Sequence, residues 1–426
     1  WLVPHFEKML YDQALLAMAY ADAWQATKRP LFRAACEDIA GYLLRELRSE
    51  EGGFYSAEDA DSEGEEGKYY LWTEAEFNHV LKEDAAHAKR IFNIRQDGNY
   101  LDETTKMYNG KNIPFRTHPD ILRASNTHVS EETVQYIAAR LESVRNKRTP
   151  PLVDTKILTD WNGLAIAALA RAGAVMDRPG WIADAETAYH FIATTCITPE
   201  GRLLHRYCDN EAAIPGMLED YAFLLWGTLE LYEATFQPRY LEQACNLAAT
   251  ALAHFTGSEG SLYQTPDDEE VIIRQRHAYD GALPSGTSAL ALSLLRLARM
   301  TGKQEYETAA TEAMEWYAED IQRSPTGYTH LLSALLFATS PTLDAVIVPG
   351  KIKDPEIIRA LGEEYYPDMT KIMLDRDGIL QRIAPHTADM TPGTQTRTVV
   401  HICRAGTCLV PLTSADKVRE ALKKKD

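Results

Sequence analysis

Polar clusters precede or open alternate helices at five widely separated places in this chain, and three of them set a carboxylate beside an aromatic ring or a histidine. The clusters are His5-Phe6-Glu7-Lys8, Asp160-Trp161-Asn162, Glu219-Asp220-Tyr221, Pro284-Ser285-Gly286-Thr287 and Tyr328-Thr329-His330. A carboxyl next to a flat ring suits a sugar, whose hydroxyls meet the acid while its C–H face lies on the aromatic surface. Imidazole titrates near neutrality, and carboxyls packed together are driven to hold a proton, so these residue types point to general acid–base catalysis. His5, Glu7, Asp160, Glu219 and Asp220 are the candidate catalytic groups. Tyr11, Asp61, Trp72, Trp161, Asn162, Arg206, Tyr221, Ser285 and His330 are the candidate substrate contacts, Arg206 because its planar fork matches a carboxylate or carbonyl. The competing reading is structural: Asp160, Glu219 and Ser285 cap helices and offset their dipoles, His5 marks a helix start, and Arg206 pairs with an acidic surface. Convergence separates the two. Caps need not face one another, whereas a site requires these side chains to line one cavity and should raise the proton affinity of at least one carboxyl, with Asp220 its expected centre.

The elements that position these groups recur. EGGFY (Glu51 to Tyr55), EGRLLHRY (Glu200 to Tyr207) and EGSLY (Glu259 to Tyr263) each close a pair of amphipathic helices, and SPTGYTHLL (Ser324 to Leu332) is a degenerate fourth copy. The last three lie about sixty residues apart, a period suited to an α-hairpin with long loops rather than to short-period solenoids. The 3.6-residue period places helices near 6–26, 31–48, 160–177, 181–196, 217–235, 238–255, 285–301, 303–321 and 328–339. On the first, His5, Met9 and Asp12 share one face, while Glu7 and Tyr11 share another. A polar insert, 56–150, carries short helices near 74–82 and 84–92 and a longer one at 131–147. After Pro341 the register changes: Asp344 to Gly350, Lys371 to Leu374 and Thr398 to Cys403 read as strands, and 354–364 and 414–423 as helices. The chain thus reads as a mainly α toroid of helical hairpins, 1–340 with its insert, followed by a small α/β appendage, 341–426.

A formal net charge of −18 argues against nucleic acid and anionic membrane surfaces. No run approaches a membrane span, and the expected partner is a small, sugar-like molecule. The six cysteines show no CxxC, which fits a reducing cytoplasm; Cys403 and Cys408 read as free thiols on a strand and its turn. Asp59 to Glu65 imitates the start of a calcium loop, but its twelfth position is Tyr70 where a bidentate Glu belongs, so a solvated loop is expected. There is no HExxH, P-loop, dinucleotide fingerprint or nucleophile elbow, and neither a metal nor an organic cofactor is expected.

Five segments in order, WLVPHFEKMLYDQALLAMAY, GGFYSAEDADSEGEEGKYYLWT, DTKILTDWNGLAIAALARAG, PGMLEDYAFLLWGTLELYEAT and YDGALPSGTSALALSLLRLARMTG, resemble the thioredoxin-domain proteins grouped with spermatogenesis-associated protein 20. The resemblance implies an (α/α)6 toroid similar to those of N-acylglucosamine 2-epimerases and several glycosidases, preceded by a thioredoxin-like domain. Here that domain and the opening hairpin are expected to be absent, leaving a thioredoxin-like domain or chain as a partner on the N-terminal side. Two functions follow as expectations: a carbohydrate-active epimerase, isomerase or hydrolase, and a non-catalytic ligand-binding or scaffold module. Fold alone does not choose between them.

Overall fold

The computed structural model describes residues 3–102, 105–116, 130–352, 354–390 and 396–423. They fall into two compact units: the described residues of 1–9 and 57–154, and those of 10–56 and 155–426.

The second unit is built of helical hairpins, the mainly α class expected. Inner helix α1 (Leu10–Thr27) pairs with outer α2 (Pro30–Tyr42), α3 (Thr159–Met176) with α4 (Pro179–Thr195), α5 (Leu218–Thr235) with α6 (Pro238–Phe255), and α7 (Gly286–Thr301) with α8 (Gln304–Trp316); α9 (Thr329–Thr339) is a further inner helix. One turn recurs. Each of the first four inner helices is followed by a left-handed residue, Lys28, Asp177, Phe236 or Gly302, and the outer helix begins two residues later. Three outer helices open on proline, whose ring presets φ and whose missing N–H would have had no partner there. At the opposite ends the Glu-Gly turns recur as structure: Arg48 bridges Phe54, Ile197 bridges Leu203 and Thr256 bridges Leu262, across Gly52, Gly201 and Gly260, all at positive φ. The fourth copy runs through a single 3-10 turn, Pro325–Gly327, directly into α9.

The inner helices pack in the order α1, α3, α5, α7, α9. Helices α3 and α5 are buried on almost every face, as helices flanked by neighbours on several sides must be. Outer α6 buries one stripe, Tyr240, Leu241, Ala244, Leu247, Ala248, Ala251 and Phe255, at the spacing of a helix face. Glycine sets the closest approach: a Cβ on Gly163 would stand 2.5 Å from the carbonyl carbon of Phe223, and one on Gly227 2.5 Å from the carbonyl oxygen of Gly163.

Two small sheets belong to this unit. In the first, β1 (Ile157–Leu158) pairs with β2 (Leu204–Cys208), which turns at Asp209-Asn210, both at positive φ, into β3 (Glu211–Pro215). In the second, β4 (Leu343–Val348) lies parallel to β5 (Met369–Met373) and antiparallel to β6 (Val399–Arg404), whose other edge takes β7 (Thr407–Cys408). Helices Pro355–Ala360 and Ala415–Lys423 cover it around Leu343, Ile347, Ile357, Val400, Ile402 and Val418. Cys403 and Cys408, expected as thiols, are joined in a disulfide, because the β6–β7 register sets them directly opposite one another.

In the other unit, helices Glu74–Leu81, Ala85–Ile91 and Glu131–Arg145 lie close to the expected spans, and they enclose an apolar cluster of Phe77, Leu81, Ile91, Val134, Ile137 and Leu141. Thr73 and Glu76 form a capping box. One earlier expectation fails here: the first helix does not start at residue 6. Lys8 and Met9 are extended, pairing with Glu58 and Ala57, so His5 and Glu7 stand on no helical face.

Candidate active site

Three titratable groups meet where α3 and α5 begin. Asp160 lies in the first turn of α3, Asp220 in the first turn of α5, and His205 on β2. Strand β1 runs straight into α3 and pairs Leu158 with Arg206, which sets His205 beside that helix start; the Thr159 hydroxyl donates to the Leu204 carbonyl at 2.6 Å.

Asp220 is fully buried, and its hydrogen bonds explain how. Its Oδ2 accepts from the Met217 N–H at 2.8 Å, capping its own helix, while Oδ1 accepts from the Asp160 N–H at 3.0 Å, capping the neighbour. His205 Nδ1 lies 3.0 and 3.1 Å from the two oxygens. With Nδ1 so engaged, Nε2 of this partly exposed ring has no hydrogen-bond partner among the described residues. Asp160 Oδ1 accepts from the Trp161 N–H at 2.7 Å.

Electrostatics divides the roles. Burial, and then the adjacent Asp220, push the Asp160 carboxyl up to about 8, so it holds a proton at neutral pH. The hydrogen bond to Asp220 outweighs desolvation and lifts His205 to about 9. Glu219 is also raised, chiefly by burial. A carboxyl of raised proton affinity, which a site requires, is therefore present at Asp160.

The same device ties the other inner helices. Glu219 Oε1 accepts from the Gly286 N–H at the start of α7, at 3.4 Å. Asp280 accepts from Ser285 N–H at 2.9 Å and from His330 N–H at 2.7 Å, joining the starts of α7 and α9. Sequence reading missed Asp280, which lies in a loop outside any helical pattern. His205 and Arg206 share the second Gly-aromatic turn, which the sequence allows to point into the mouth; sequence reading prefers Arg206 as the contact, and it is His205 that meets Asp220.

Other expected contacts have internal tasks. Asn162, fully buried, receives the Phe54 N–H and donates to the carbonyls of Phe54 and Leu158. The Tyr221 hydroxyl accepts from Leu203 N–H at 2.9 Å, and the Ser285 hydroxyl caps α7 through Ser288 N–H. Trp161 is half-buried with the Tyr11 ring edge-on at 4.8 Å, and Arg206 leaves a buried Nε without a partner. The His330 ring lies against Trp226, in a separate cavity. His5, Glu7, Asp61 and Trp72 belong to the other unit. His5 and Glu7 are exposed or nearly so, Asp61 sits in an acidic hairpin, and Trp72 is buried with the Arg148 guanidinium 4.2 Å over its ring.

Asp160, His205 and Asp220 each offer an atom within 4.8 Å of the others, a spacing that would admit a divalent ion. The ion would have to displace the His205 hydrogen bonds and share Asp220 oxygens that already serve two backbone N–H groups.

Fold and site define a protein of helical hairpins with an acid–imidazole cluster at the N-terminal ends of adjacent inner helices. The chain is homologous, over nearly its whole length, to spermatogenesis-associated protein 20: it is 30% identical to the Homo sapiens protein across 99% of this chain, and 29% identical to that of Mus musculus across 99%. It spans 58% of the length of each. No protein-family model matches. Among solved structures it is similar to an unsaturated glucuronyl hydrolase from Bacillus sp. GL1 (TM-score 0.42, 14% identity, 72% of this chain and 61% of that one). It is also similar to a cellobiose 2-epimerase from Spirochaeta thermophila (0.39, 11%, 74% and 75%) and a D-mannose isomerase (0.39, 12%, 74% and 76%). No helix among the described residues is long and apolar enough to cross a membrane.

Proposed function

We propose that the chain is an acid–base enzyme acting on a carbohydrate, with His205 as the group that moves the proton. The observation that carries this reading is the His205 Nδ1–Asp220 pair at 3.0 Å beside the buried carboxyl of Asp160. Asp220 fixes the ring orientation and, by lifting His205 to about 9, leaves a minor fraction of the ring unprotonated at neutral pH; in that fraction Nε2 takes the proton from the substrate carbon, while Asp160 donates its proton to the oxygen that gains charge. Trp161 supplies the flat surface. Within this reading, epimerisation or isomerisation is favoured over hydrolysis. A glycosidase needs two available carboxyls roughly 5 to 9.5 Å apart, whereas both Asp220 oxygens are engaged by backbone N–H groups.

Proton NMR in D2O tests it. Monosaccharides and disaccharides incubated with the protein should take up solvent deuterium at the carbon being inverted or isomerised, and His205→Gln should slow this by about 10²-fold or more. Release of reducing ends without deuterium uptake would instead favour hydrolysis. Absence of turnover across the panel would favour the non-catalytic module that works with a thioredoxin-like domain.

A further inference from the structure

A cavity of about 740 Å³ in the hairpin unit does not include the acid cluster. It lies toward the other ends of the same inner helices, and the segment from Leu361 to Met369, between helix Pro355–Ala360 and β5, forms part of its wall. Its size is that of a small-molecule site.

A chain of alternating charges lines the cavity. Asp22 on α1 meets Arg171 on α3 at 3.2 Å, and Arg171 clasps Glu230 on α5 through two contacts of 2.6 and 3.1 Å. Glu230 also takes Arg296 of α7 at 2.7 Å, Arg296 reaches Glu233 at 2.9 Å, and Glu233 meets Lys371 of β5 at 3.0 Å. Three acids and three bases thus compensate one another. Glu364 and Asp368 line the cavity as further acids, so an anionic ligand would find every lining base already engaged, whereas a hydroxyl, which donates and accepts at once, fits a wall where acceptors and donors alternate.

Two groups stand outside that network. Trp226 presents an indole beside the His330 ring, their centroids 5.1 Å apart, and His330 Nε2 is buried without a hydrogen-bond partner. Burial also pushes His330 down to about 4, so at neutral pH the ring is uncharged and one of its nitrogens can accept. An orphaned buried polar atom costs stability until something satisfies it.

We propose that this cavity is a second ligand site, distinct from the acid cluster, that takes an uncharged, hydroxyl-rich ring compound of mono- to disaccharide size. The ring stacks on Trp226, its hydroxyls bridge the ion-pair chain, and occupancy fastens the Leu361–Met369 segment to the helices.

Hydrogen exchange on the full chain tests this, with maltose and myo-inositol as uncharged probes and glucuronate and glucosamine as charged counterparts. An uncharged probe should slow exchange across 361–369 and 226–234. That response should survive in Asp160→Asn, which disables the acid cluster. It should weaken about tenfold or more in Ala174→Trp and in Ser333→Trp, which fill the cavity from solvent-accessible positions on α3 and α9. Protection by the charged compounds alone, an undiminished response in both filling variants that remain folded, or no response to either uncharged probe would each overturn the proposal.

Discussion

At the scale of the residue, Asp160 and His205 make the stability of the fold depend on pH in one direction. Asp160 is raised from 3.8 to about 8, so the native chain holds a proton there that the unfolded chain has lost, and stability falls as pH rises across that interval. His205 is raised from 6.5 to about 9, so its contribution is complete below the lower value and is lost as pH rises through the upper one. The two effects add, and the melting temperature should decline from pH 6.5 to pH 9. Thermal denaturation of two variants checks the assignment: His205→Gln should flatten the upper part of the decline, while Asp160→Asn should remove the part below about 8 and melt higher than the parent at neutral pH. Asn keeps an oxygen for the Trp161 N–H, so the gain comes from removing a proton-binding requirement. Activity should fall in both variants although stability moves in opposite senses. Asp160, Glu219 and Asp220 were legible in the sequence as acids at helix starts. His205 is legible only as a residue able to point into the mouth, because its closeness to them depends on β1 pairing with β2, a contact between residues nearly fifty positions apart.

At the scale of the element, the site depends on how closely α3 and α5 approach. Alanine normally stabilises a helix interior by about 1 kcal/mol over glycine, yet at Gly163 the new methyl would meet the Phe223 carbonyl carbon at 2.5 Å, and backbone cannot step aside as a flexible side chain can. Gly163→Ala should therefore cost about 1–3 kcal/mol in denaturant unfolding. It should also lengthen the Asp160 N–H to Asp220 bond and lower the His205 titration midpoint, followed by NMR. Gly180→Ala on α4, where the added carbon meets nothing within 4 Å, is the control and should be neutral or slightly stabilising. An unchanged His205 midpoint in Gly163→Ala would show that helix spacing does not govern the site. Most helices could be placed from their period because each outer one buries a single stripe and each long inner one ends at a turn residue followed closely by a new start. The first helix could not, since its expected opening residues are claimed by pairing with Ala57 and Glu58, far along the chain. The Cys403–Cys408 bond likewise depends on a strand register that spacing alone leaves open.

At the scale of the whole molecule, each unit draws its apolar clusters from its own residues. Phe77, Leu81, Ile91, Val134, Ile137 and Leu141 belong to one, while the large core running from Leu10 and Phe54 through Tyr232 to Phe337 belongs to the other. Cooperative unfolding follows shared burial, so two such cores should open as separate units under native conditions. Phe77 is fully buried, and Phe77→Ala removes its ring from the smaller core at a cost of about 3–5 kcal/mol. That cost should appear as faster hydrogen exchange in the amides of 74–91 and 131–145, while those of α3 and α5 keep the protection they have in the parent. A single cooperative molecule would behave differently, with the slowest amides of α3 and α5 losing the same free energy as those of the smaller unit. The deuterium-uptake assay completes the test. If the acid cluster, built wholly from the hairpin unit, retains its turnover in Phe77→Ala, that unit is sufficient to hold the catalytic geometry; loss of turnover at full protection of α3 and α5 would mean that the smaller unit contributes to the reaction itself.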